Sequence, residues 1–484
     1  MVSLYLFNET TEKIGLAVKN DKVQELVIDR PDYPQQVGNI YLGKVKKVEK
    51  GLQAAFVDIG AEQDGFLQRK EIPYGEDKRI ESVITEGQSL IVQVMKDAYA
   101  TKGARLTANL TLPGQHLVYM PLGNQLIISK KLDSTAIEPV LQRLTSIRTA
   151  QEGAIIRTAA VDASSEVIEA EYLALRNQMT KLLQSTKNKE APQVLFVDSV
   201  SVNRFIRLFS AREIDAIYVD SARFAKQLRA MYPSIASLIS WKTALEQSLP
   251  TRIDQLWKTL LDPVVTLQNG ISLSIEETEA MVVIDVNSGG FADRYHHQKT
   301  AVKTNLTTVP TIAEQIRLRN LSGIIVIDFI DMKEQKDQKQ VIDALKKAFR
   351  SDRMQTNIYG FTKLGLLEIT RKREAPSFAK LIADQSATKK NAYSTLSQVY
   401  SLERTIIRQQ SSDVEAVLIQ VEPKIRQLWD QVVDVNYLKD SNLPMVYFEP
   451  SKGVTGFHVK RAGSEPLIEE YIQTHPHLIV DKVL

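Results

Sequence analysis

Two aspartates and an asparagine stand where two apolar segments of this chain end. Asp285 follows the run MVVI and precedes Asn287 by two residues, and Asp328 closes the run GIIVI. Residues two apart on a β-strand point to the same face, so Asp285 and Asn287 are expected to face the same way. Carboxylate and amide oxygens are the ligands that a hard cation such as Mg²⁺ prefers. These residues therefore predict a magnesium centre, which could activate a water for attack on a phosphorus atom.

The two apolar runs predict how these residues are placed. MVVIDV (281–286) and GIIVIDFI (323–330) are continuous, which is typical of strands buried on both faces. The segment between them is long enough for a helical crossover, and Pro310 is placed to begin a helix. A carboxylate buried in such a strand costs several kcal/mol unless it is paired or binds a cation. From the spacing alone, aspartates that cap helices or turns remain the alternative.

Composition excludes several classes of protein. The 484 residues carry 61 Lys and Arg against 58 Asp and Glu, and 43% are hydrophobic, which is the balance of a globular, multidomain chain. No apolar run approaches the roughly 20 residues that span a bilayer, and no signal peptide is expected from MVSLYLFNETTEK. The chain has no cysteine, which excludes disulfides, thiolate zinc sites and cysteine nucleophiles and fits a reducing cytoplasm.

A second group of residues predicts a surface for nucleic acid. Residues 39–107 read as about five short strands with glycine turns, which is typical of a small closed barrel. In AAFVDIG the aliphatic residues share one face of a strand, and Phe56 takes the other. Phe56 and Phe66 could stack on unpaired bases, or they could be buried in the barrel core. The lysines available for phosphates are Lys44, Lys46, Lys47 and Lys102.

A third candidate is the pair Arg157-Thr158, which directly follows Ile155-Ile156. A guanidinium beside a hydroxyl can bind a terminal phosphate through several hydrogen bonds. Because Arg-Thr pairs are common in proteins, the pair by itself does not assign a phosphate site.

Longer motifs in the chain resemble those of a known family. They are GNIYLGKVKKVEKGLQAAFVDIGAEQDGFL (38–67), TKGARLT (101–107), IDVNSGG (284–290), Asn305-Leu306, IRLRNLSGIIVIDFIDM (316–332) and FTKLGLLEITRKR (361–373). In this order they closely resemble the catalytic domain of the ribonuclease E/G family.

The resemblance implies an α/β multidomain fold with one split subdomain. An RNase H-like subdomain would be built from residues 1–36 and 199–262. The implied order of the other parts is an OB-fold RNA-binding barrel (37–110), a 5′-sensor region (111–198), a DNase I-like catalytic subdomain (263–385), a linker without zinc ligands (386–400) and a small α/β C-terminal domain (401–484).

The resemblance also implies a role for each candidate residue. Asp285 and Asp328 would bind the catalytic Mg²⁺, for which Mn²⁺ would substitute, and Asn287 would help to orient the site around the scissile phosphate. The barrel residues that grip single-stranded RNA would be Phe56, Phe66 and Lys102. The pocket for a 5′-monophosphate would contain Gly114, Val118, Arg157 and Thr158.

The implied activity is Mg²⁺-dependent endoribonuclease cleavage of single-stranded RNA. The products would carry 5′-phosphate and 3′-hydroxyl ends, a 5′-monophosphate on the substrate would stimulate cleavage, and the enzyme would act in the cytoplasm in rRNA processing and mRNA decay. A catalytically idle RNA-binding protein of the same fold remains the first alternative. A metal-dependent phosphatase or DNA nuclease that uses the same carboxylates is the second.

The chain departs from the family pattern at two points. The family usually carries a Cys-Pro-x-Cys motif whose zinc is shared between subunits, and this chain has no cysteine. No zinc is therefore expected, and a homodimer would need an interface held by packing. The family also usually supplies an arginine to the 5′ pocket at the position of Gln355, with Arg353 close by in this chain. We expect the short, ribonuclease G-like type.

Overall fold

The computed structural model describes most of the chain. The described residues are 1–75, 77–98, 102–129, 132–198, 200–267, 270–288, 297–373, 375–384, 392–411, 414–435, 438 and 443–484. They form two compact units. Unit 1 comprises Met1–Leu6 and Val27–Trp241, and unit 2 comprises Phe7–Leu26 and Lys242–Leu484.

Among the described residues, strands predominate up to residue 128, and helices are interspersed with strands after it. The strands are β1 (Val2–Phe7), β2 (Lys13–Lys19), β3 (Lys22–Asp29), β4 (Ile40–Glu49), β5 (Ala54–Asp58), β6 (Gly65–Gln68), β7 (Ser89–Lys96), β8 (Arg105–Thr107), β9 (Leu112–Pro113), β10 (Leu117–Met120), β11 (Leu126–Ile128), β12 (Gly153–Ile156), β13 (Gln193–Phe196), β14 (Ile214–Val219), β15 (Ile239–Trp241), β16 (Val264–Thr266), β17 (Ser272–Glu277), β18 (Met281–Asn287), β19 (Gly323–Asp328), β20 (Thr356–Phe361), β21 (Leu366–Arg371), β22 (Ala416–Val421), β23 (Met445–Pro450), β24 (Phe457–Gly463) and β25 (Asp481–Lys482). The helices are α1 (Ser134–Ile147), α2 (Ser165–Gln184), α3 (Ala222–Met231), α4 (Ile253–Leu261), α5 (His297–Leu318), α6 (Gln335–Ala348), α7 (Phe378–Ile382), α8 (Thr395–Arg408), α9 (Pro423–Val432) and α10 (Glu465–Thr474). Within the described residues, no helix combines the length and the apolar character needed to cross a membrane.

Unit 1 contains the closed barrel that the sequence predicts. Its strands pair in the order β4-β5-β6-β8-β7, and β7 pairs again with β4. Aliphatic side chains such as Val57, Leu67 and Leu106 fill the core. Gly65 permits close packing there, because a Cβ on this residue would lie 2.4 Å from Leu106 Cδ1. Closure of the barrel pairs the backbone N–H and C=O groups of its edge strands with each other. Because the apolar side chains fill the inside, polar and aromatic side chains can occupy the outer face.

Two further groups of paired strands belong to unit 1. β1 pairs in parallel with β14, and β14 pairs in parallel with β15, so that Leu4 lies opposite Ile217. After the barrel, a four-stranded sheet in the order β11-β12-β10-β9 packs against α1 and α2. In that sheet Tyr119 donates a hydrogen bond to buried Glu152 at 2.6 Å. Arg176 on α2 pairs with the same carboxylate at 2.6 Å, which fixes the helix to the sheet.

The largest sheet of unit 2 carries the candidate metal ligands. Its six strands have the order β16-β17-β18-β19-β21-β20. β18 and β19 are parallel and are connected through α5, as the apolar runs and the crossover length predict. α5 and α6 pack against one face of this sheet, where Ile284, Ile325 and Ile327 meet Ile312 and Val341.

Two expectations about this region are wrong. The two strands are buried on one face only, because α5 and α6 cover one face: Ile284 is buried, whereas Val283 is 37% and Ile324 is 48% exposed. Asp285 is accordingly half-buried and Asp328 exposed. Pro310 lies inside α5 and does not begin a helix. A proline removes one helical hydrogen bond, and burial of the helix against the sheet offsets that loss.

The end of the chain forms a smaller sheet with the order β24-β22-β23-β25. α8 and α9 share its core with β22 and β23. The linker expected over 386–400 is only partly compatible with this structure. Residues 395–400 belong to α8, where Val399 and Tyr400 are buried, and Ser394 caps the helix by accepting a hydrogen bond from the Ser397 amide. Residues 385–391 lie outside the described part of the chain.

A buried charge network joins three segments of unit 2. Arg404 on α8 forms ion pairs with Glu12 and with Asp254 on α4, the second at 2.8 Å. Arg408 also pairs with Asp254, at 2.6 Å. Burial by itself would raise the pKa of Asp254, but the guanidinium groups of Arg404 and Arg408 and the hydroxyl of Ser401 together outweigh it, so the pKa is lowered. Each charge in the network therefore depends on a partner from a distant part of the sequence.

Candidate active site

Asp285 and Asp328 lie side by side on neighbouring strands. β18 and β19 are parallel, and the two aspartates are directly opposite in their register. Since successive side chains in a strand point to opposite faces, both carboxylates project from the face opposite the buried Ile284 and Ile327. The two candidate ligands therefore converge on the open face of the six-stranded sheet.

The two carboxylates interact electrostatically. Partial loss of hydration at its carboxyl, the charge of Asp285 and the charge of Asp331 all raise the pKa of Asp328 above its ordinary value, although the side chain is exposed. A divalent cation would relieve this repulsion. Mg²⁺ usually binds through one or two carboxylates and completes its shell with waters and substrate phosphates. The donor set fits Mg²⁺, although no group of three or more His, Asp or Glu side chains converges anywhere in the described part of the chain.

Asn287 contacts one of the two carboxylates, as its spacing from Asp285 predicts. Its Nδ2 donates a hydrogen bond of 2.8 Å to Asp285 Oδ2. This bond restrains the Asp285 carboxylate and leaves its other oxygen available to a cation. The glycines that follow in the motif, Gly289 and Gly290, lie outside the described residues.

A buried asparagine, to which the sequence analysis assigns no role, holds the segment after Asp328. Asn305 on α5 is completely buried. Its Nδ2 donates to the Ile330 carbonyl at 2.8 Å, and its Oδ1 accepts from the Ile330 amide at 3.1 Å. These bonds fix the backbone two residues beyond Asp328. The sequence gives only a weak signal, because Asn305 shares the buried face of α5 with other polar residues, among them Thr304 and Thr308, and it does not identify the partner.

The hairpin between β20 and β21 reaches the same end of the sheet. Leu366, the first residue of β21, lies opposite Asp328. Thr362 Oγ1 accepts hydrogen bonds from the amides of Leu364 and Leu366, which orders the turn. Leu364 is 87% exposed and Lys363 is exposed. The turn thus places one cation and one apolar side chain at the end of the sheet that carries the acidic pair.

Phe56 and Phe66 form an aromatic pair on the barrel. They are opposite each other on β5 and β6, with ring centroids 5.7 Å apart. Both are half-buried, whereas their neighbours Val57 and Leu67 are fully buried. The rings therefore lie on the outer face, and the alternative that they fill the barrel core is wrong. Rings in this position are accessible to unpaired bases.

The lysines expected near these rings are exposed, and two of them already have acidic partners. Lys47 lies opposite Phe56 and pairs with Glu49. Lys46 pairs with Asp58 at 3.1 Å. Exposed pairs of this kind contribute little to stability, so a phosphate can compete for the lysines. Lys102 is also exposed.

Gly114 and Arg157 from the expected 5′-phosphate pocket are in contact. Arg157 Nη1 donates to the Gly114 carbonyl at 2.7 Å, and Nη2 donates to the Arg207 carbonyl at 2.9 Å. A Cβ at position 114 would lie 1.8 Å from Glu171 Oε1, so a side chain there would require Glu171, which accepts a hydrogen bond from the His116 amide, to move. Two backbone carbonyls therefore hold the Arg157 guanidinium.

Val118 and Thr158 lie close to this contact. Val118 on β10 is opposite Ile155 on β12, two residues before Arg157. Thr158 is exposed, and its hydroxyl is 3.4 Å from Ser129 Oγ. The four expected residues thus come from adjoining strands and loops of one sheet. Ser129, which adds a second hydroxyl here, was not predicted.

Two family descriptions match the chain. Residues 35–108, which include the closed barrel, match the S1 RNA binding domain. Residues 111–374, more than half of the chain, match the Ribonuclease E/G family. The chain belongs to the ribonuclease E/G family.

Individual relatives of this ribonuclease E/G family member cover most of its length. Ribonuclease G of Escherichia coli (strain K12) is 32% identical over 450 residues, which are 88% of this chain and 92% of that protein. Ribonuclease G of Haemophilus influenzae is 34% identical over 425 residues, 83% of this chain and 87% of that protein. Ribonuclease E of Nostoc sp. is 36% identical over 386 residues, 77% of this chain and 56% of that protein. The resemblance inferred from the motifs is confirmed.

Proposed function

We propose that this protein is a Mg²⁺-dependent endoribonuclease that cuts single-stranded RNA into products with 5′-phosphate and 3′-hydroxyl ends. The observation that carries the proposal is the register pair of Asp285 and Asp328 on the open face of the sheet. The relatives support the substrate class, because they are named Ribonuclease G and Ribonuclease E. Roles in RNA processing and decay follow from the same activity.

Asp285 and Asp328 would hold the cation. When bound, Mg²⁺ would neutralise charge on the phosphoryl oxygens and lower the pKa of a coordinated water. Asn287 restrains the Asp285 carboxylate, and Asn305 restrains the segment after Asp328. These bonds matter because a ligand that moves by about 1 Å can cost roughly a hundredfold in rate.

The barrel would select unpaired RNA. Bases in a duplex are stacked on each other, whereas the bases of a single strand can splay onto Phe56 and Phe66.

The domain boundaries inferred from the resemblance are part of the same proposal. The pairing of β1 with β14 supports a subdomain that combines residues 1–36 with 199–262. The separate sheet of β9 to β12 supports a 5′-sensor region over 111–198.

Phe56→Ala is expected to weaken the binding of single-stranded RNA by about 1–3 kcal/mol, or roughly 5- to 150-fold, because one stacking surface is lost. Fluorescence anisotropy with a 5′-hydroxyl RNA in the absence of divalent cations would measure the change. Tyr74→Ala removes an exposed ring from a loop of the same barrel and serves as the control. Unchanged affinity of Phe56→Ala would show that the ring does not contact RNA.

RNA with a 5′-monophosphate is expected to be cut faster than the same RNA with a 5′-hydroxyl. Thr158→Val should reduce the ratio of the two rates by about tenfold, the effect of losing one hydrogen bond to a charged group. Cleavage of the 5′-hydroxyl RNA should not change, and neither should the ratio in Thr180→Val, an exposed threonine on α2. Equal rates for both RNAs with the unmodified protein would contradict 5′ sensing. In that case, Gln355 at the position of the family's arginine would be the simplest explanation for the loss of 5′ sensing.

A further inference from the structure

Five side chains form one row across five strands of the barrel. Lys96 on β7 lies opposite Arg105 on β8, and Arg105 lies beside Phe66 on β6. Phe66 lies opposite Phe56 on β5, and Phe56 lies opposite Lys47 on β4. Directly opposed residues in a sheet share a face. We call these five residues the cross-barrel row.

The cross-barrel row faces away from the core of the barrel. Along the same strands, Val57, Leu67 and Leu106 are fully buried, and each is adjacent in sequence to a member of the row. The three cations of the row are exposed, and its two rings are half-buried. The outer face therefore presents two aromatic rings with a cation on one side and two cations on the other.

We propose that Arg105 and Lys96 bind phosphates of the single-stranded RNA whose bases stack on Phe56 and Phe66. This inference rests on the proposed function and adds two binding residues to the same surface. It gives the RNA a path across the barrel, because the RNA must pass over the row between β7 and β4. Neighbouring strands are about 4.8 Å apart, so the row spans roughly 19 Å. Several nucleotides fit this length, and OB folds bind about 4–16 nucleotides.

The surroundings of Arg105 suit a phosphate ligand. Its Nη2 donates a hydrogen bond of 3.0 Å to Gln68 Oε1. The amide of Gln68 is neutral, so it orients the guanidinium without cancelling its charge. On the other side of the rings, Lys47 pairs with a carboxylate, that of Glu49. A guanidinium can also bind a phosphate through two parallel hydrogen bonds.

The backbone brings Arg105 close to the rings. Two residues before it, Gly103 lies against the turn before β6, and a Cβ there would be 1.9 Å from the Asp64 carbonyl oxygen. The Phe66 amide donates to the Ala104 carbonyl at 2.7 Å. The absence of a side chain at Gly103 thus allows β8 to pair with β6 in the register that places Arg105 beside Phe66.

The test is RNA binding by the full chain at several salt concentrations. The probe is a labelled 5′-hydroxyl single-stranded RNA without divalent cations. Arg105→Ala and Lys96→Ala should each weaken binding about five- to tenfold at low salt. Each should also reduce the slope of log K against log salt by about 0.7, the value for one phosphate contact to a single strand. Arg105→Lys keeps the charge and should retain most of the slope.

Lys187→Ala is the matched control. It removes one exposed charge in unit 1 outside the barrel and should bind as the unmodified protein does. If both alanine variants in the row match this control in affinity and slope, the inference is wrong. The proposed function would survive that result provided that Phe56→Ala binds weakly. If Phe56→Ala also binds normally, the barrel surface itself is misassigned.

Discussion

Asp328→Asn is expected to reduce Mg²⁺-dependent cleavage of a short single-stranded RNA by about a thousandfold or more. Asparagine keeps the size of the side chain but removes the charge that would hold the cation. A bound metal ion contributes several kcal/mol of charge stabilisation in the transition state, and about 4 kcal/mol corresponds to a factor of 10³. The measurement is the appearance of shortened products from a 3′-labelled RNA. RNA binding should not change.

The control for this experiment is Glu276→Gln. Glu276 is an exposed carboxylate on β17, and it lies opposite Val283, two residues before Asp285. Neutralising it removes charge from the same sheet without touching the acidic pair, so cleavage should be nearly unchanged. An Asp328→Asn variant that still cuts RNA would place the metal centre elsewhere. An unmodified protein that binds RNA but does not cut it would favour the catalytically idle alternative.

Stability gives an independent readout of the same site. Without metal, Asp328→Asn should unfold at the same temperature as the unmodified protein or a higher one, because the repulsion from Asp285 and Asp331 is removed. Added Mg²⁺ should raise the unfolding temperature of the unmodified protein, since a ligand that binds only the folded state stabilises it. The unfolding temperature of Asp328→Asn should rise much less on addition of Mg²⁺.

Asn305→Leu is expected to loosen the segment after Asp328 and to slow cleavage by about 10- to 100-fold. Leucine has a similar size, but it leaves the partly buried amide and carbonyl of Ile330 without their partner. Each of the two unsatisfied groups costs about 1–3 kcal/mol, so a local destabilisation of about 2–6 kcal/mol is expected. Hydrogen exchange at the Ile330 amide would report the loss directly.

Asn305→Asp separates the two hydrogen bonds. The aspartate can still accept a hydrogen bond from the Ile330 amide but cannot donate one to its carbonyl. We therefore expect an intermediate loss of hydrogen-exchange protection at the Ile330 amide. Thr307→Ala changes an exposed residue on the same helix and should leave both exchange and cleavage as they are. Normal protection and a normal rate in Asn305→Leu would mean that the Ile330 segment does not depend on this residue.

The sequence predicts the pairing of β18 and β19, but it does not predict which faces are covered. Two apolar runs joined by a segment long enough for a helix indicate parallel neighbours, and that part is confirmed. Burial on both faces is wrong, because Val283 and Ile324 are apolar and nevertheless exposed. A continuous apolar run carries no alternation, so it cannot show that helices cover only one face.

Polar residues in the interior explain most of what the sequence leaves unresolved. Residues 395–400 look like linker because they are polar, yet Ser397 is buried in α8 together with Glu403 and Arg404. Glu403 and Arg404 have partners far away in the sequence, Thr11 and Glu12, and a hydrophobicity pattern does not register them. Phe56 is the opposite case. Alternation along its strand predicts its face correctly, but only the closed barrel shows that this face is the outer one.

The buried charge network of unit 2 has a consequence for the order in which the protein is made. Arg404 is translated 392 residues after Glu12 and 150 residues after Asp254. At about 5–20 residues per second, Asp254 leaves the peptidyl transferase centre about 8–30 s before its guanidinium partner exists. A buried carboxylate without its partner is strongly destabilising. The part of unit 2 that packs around α8 can therefore become stable only after α8 emerges from the ribosome, whereas the core of the six-stranded sheet uses only residues that are made earlier.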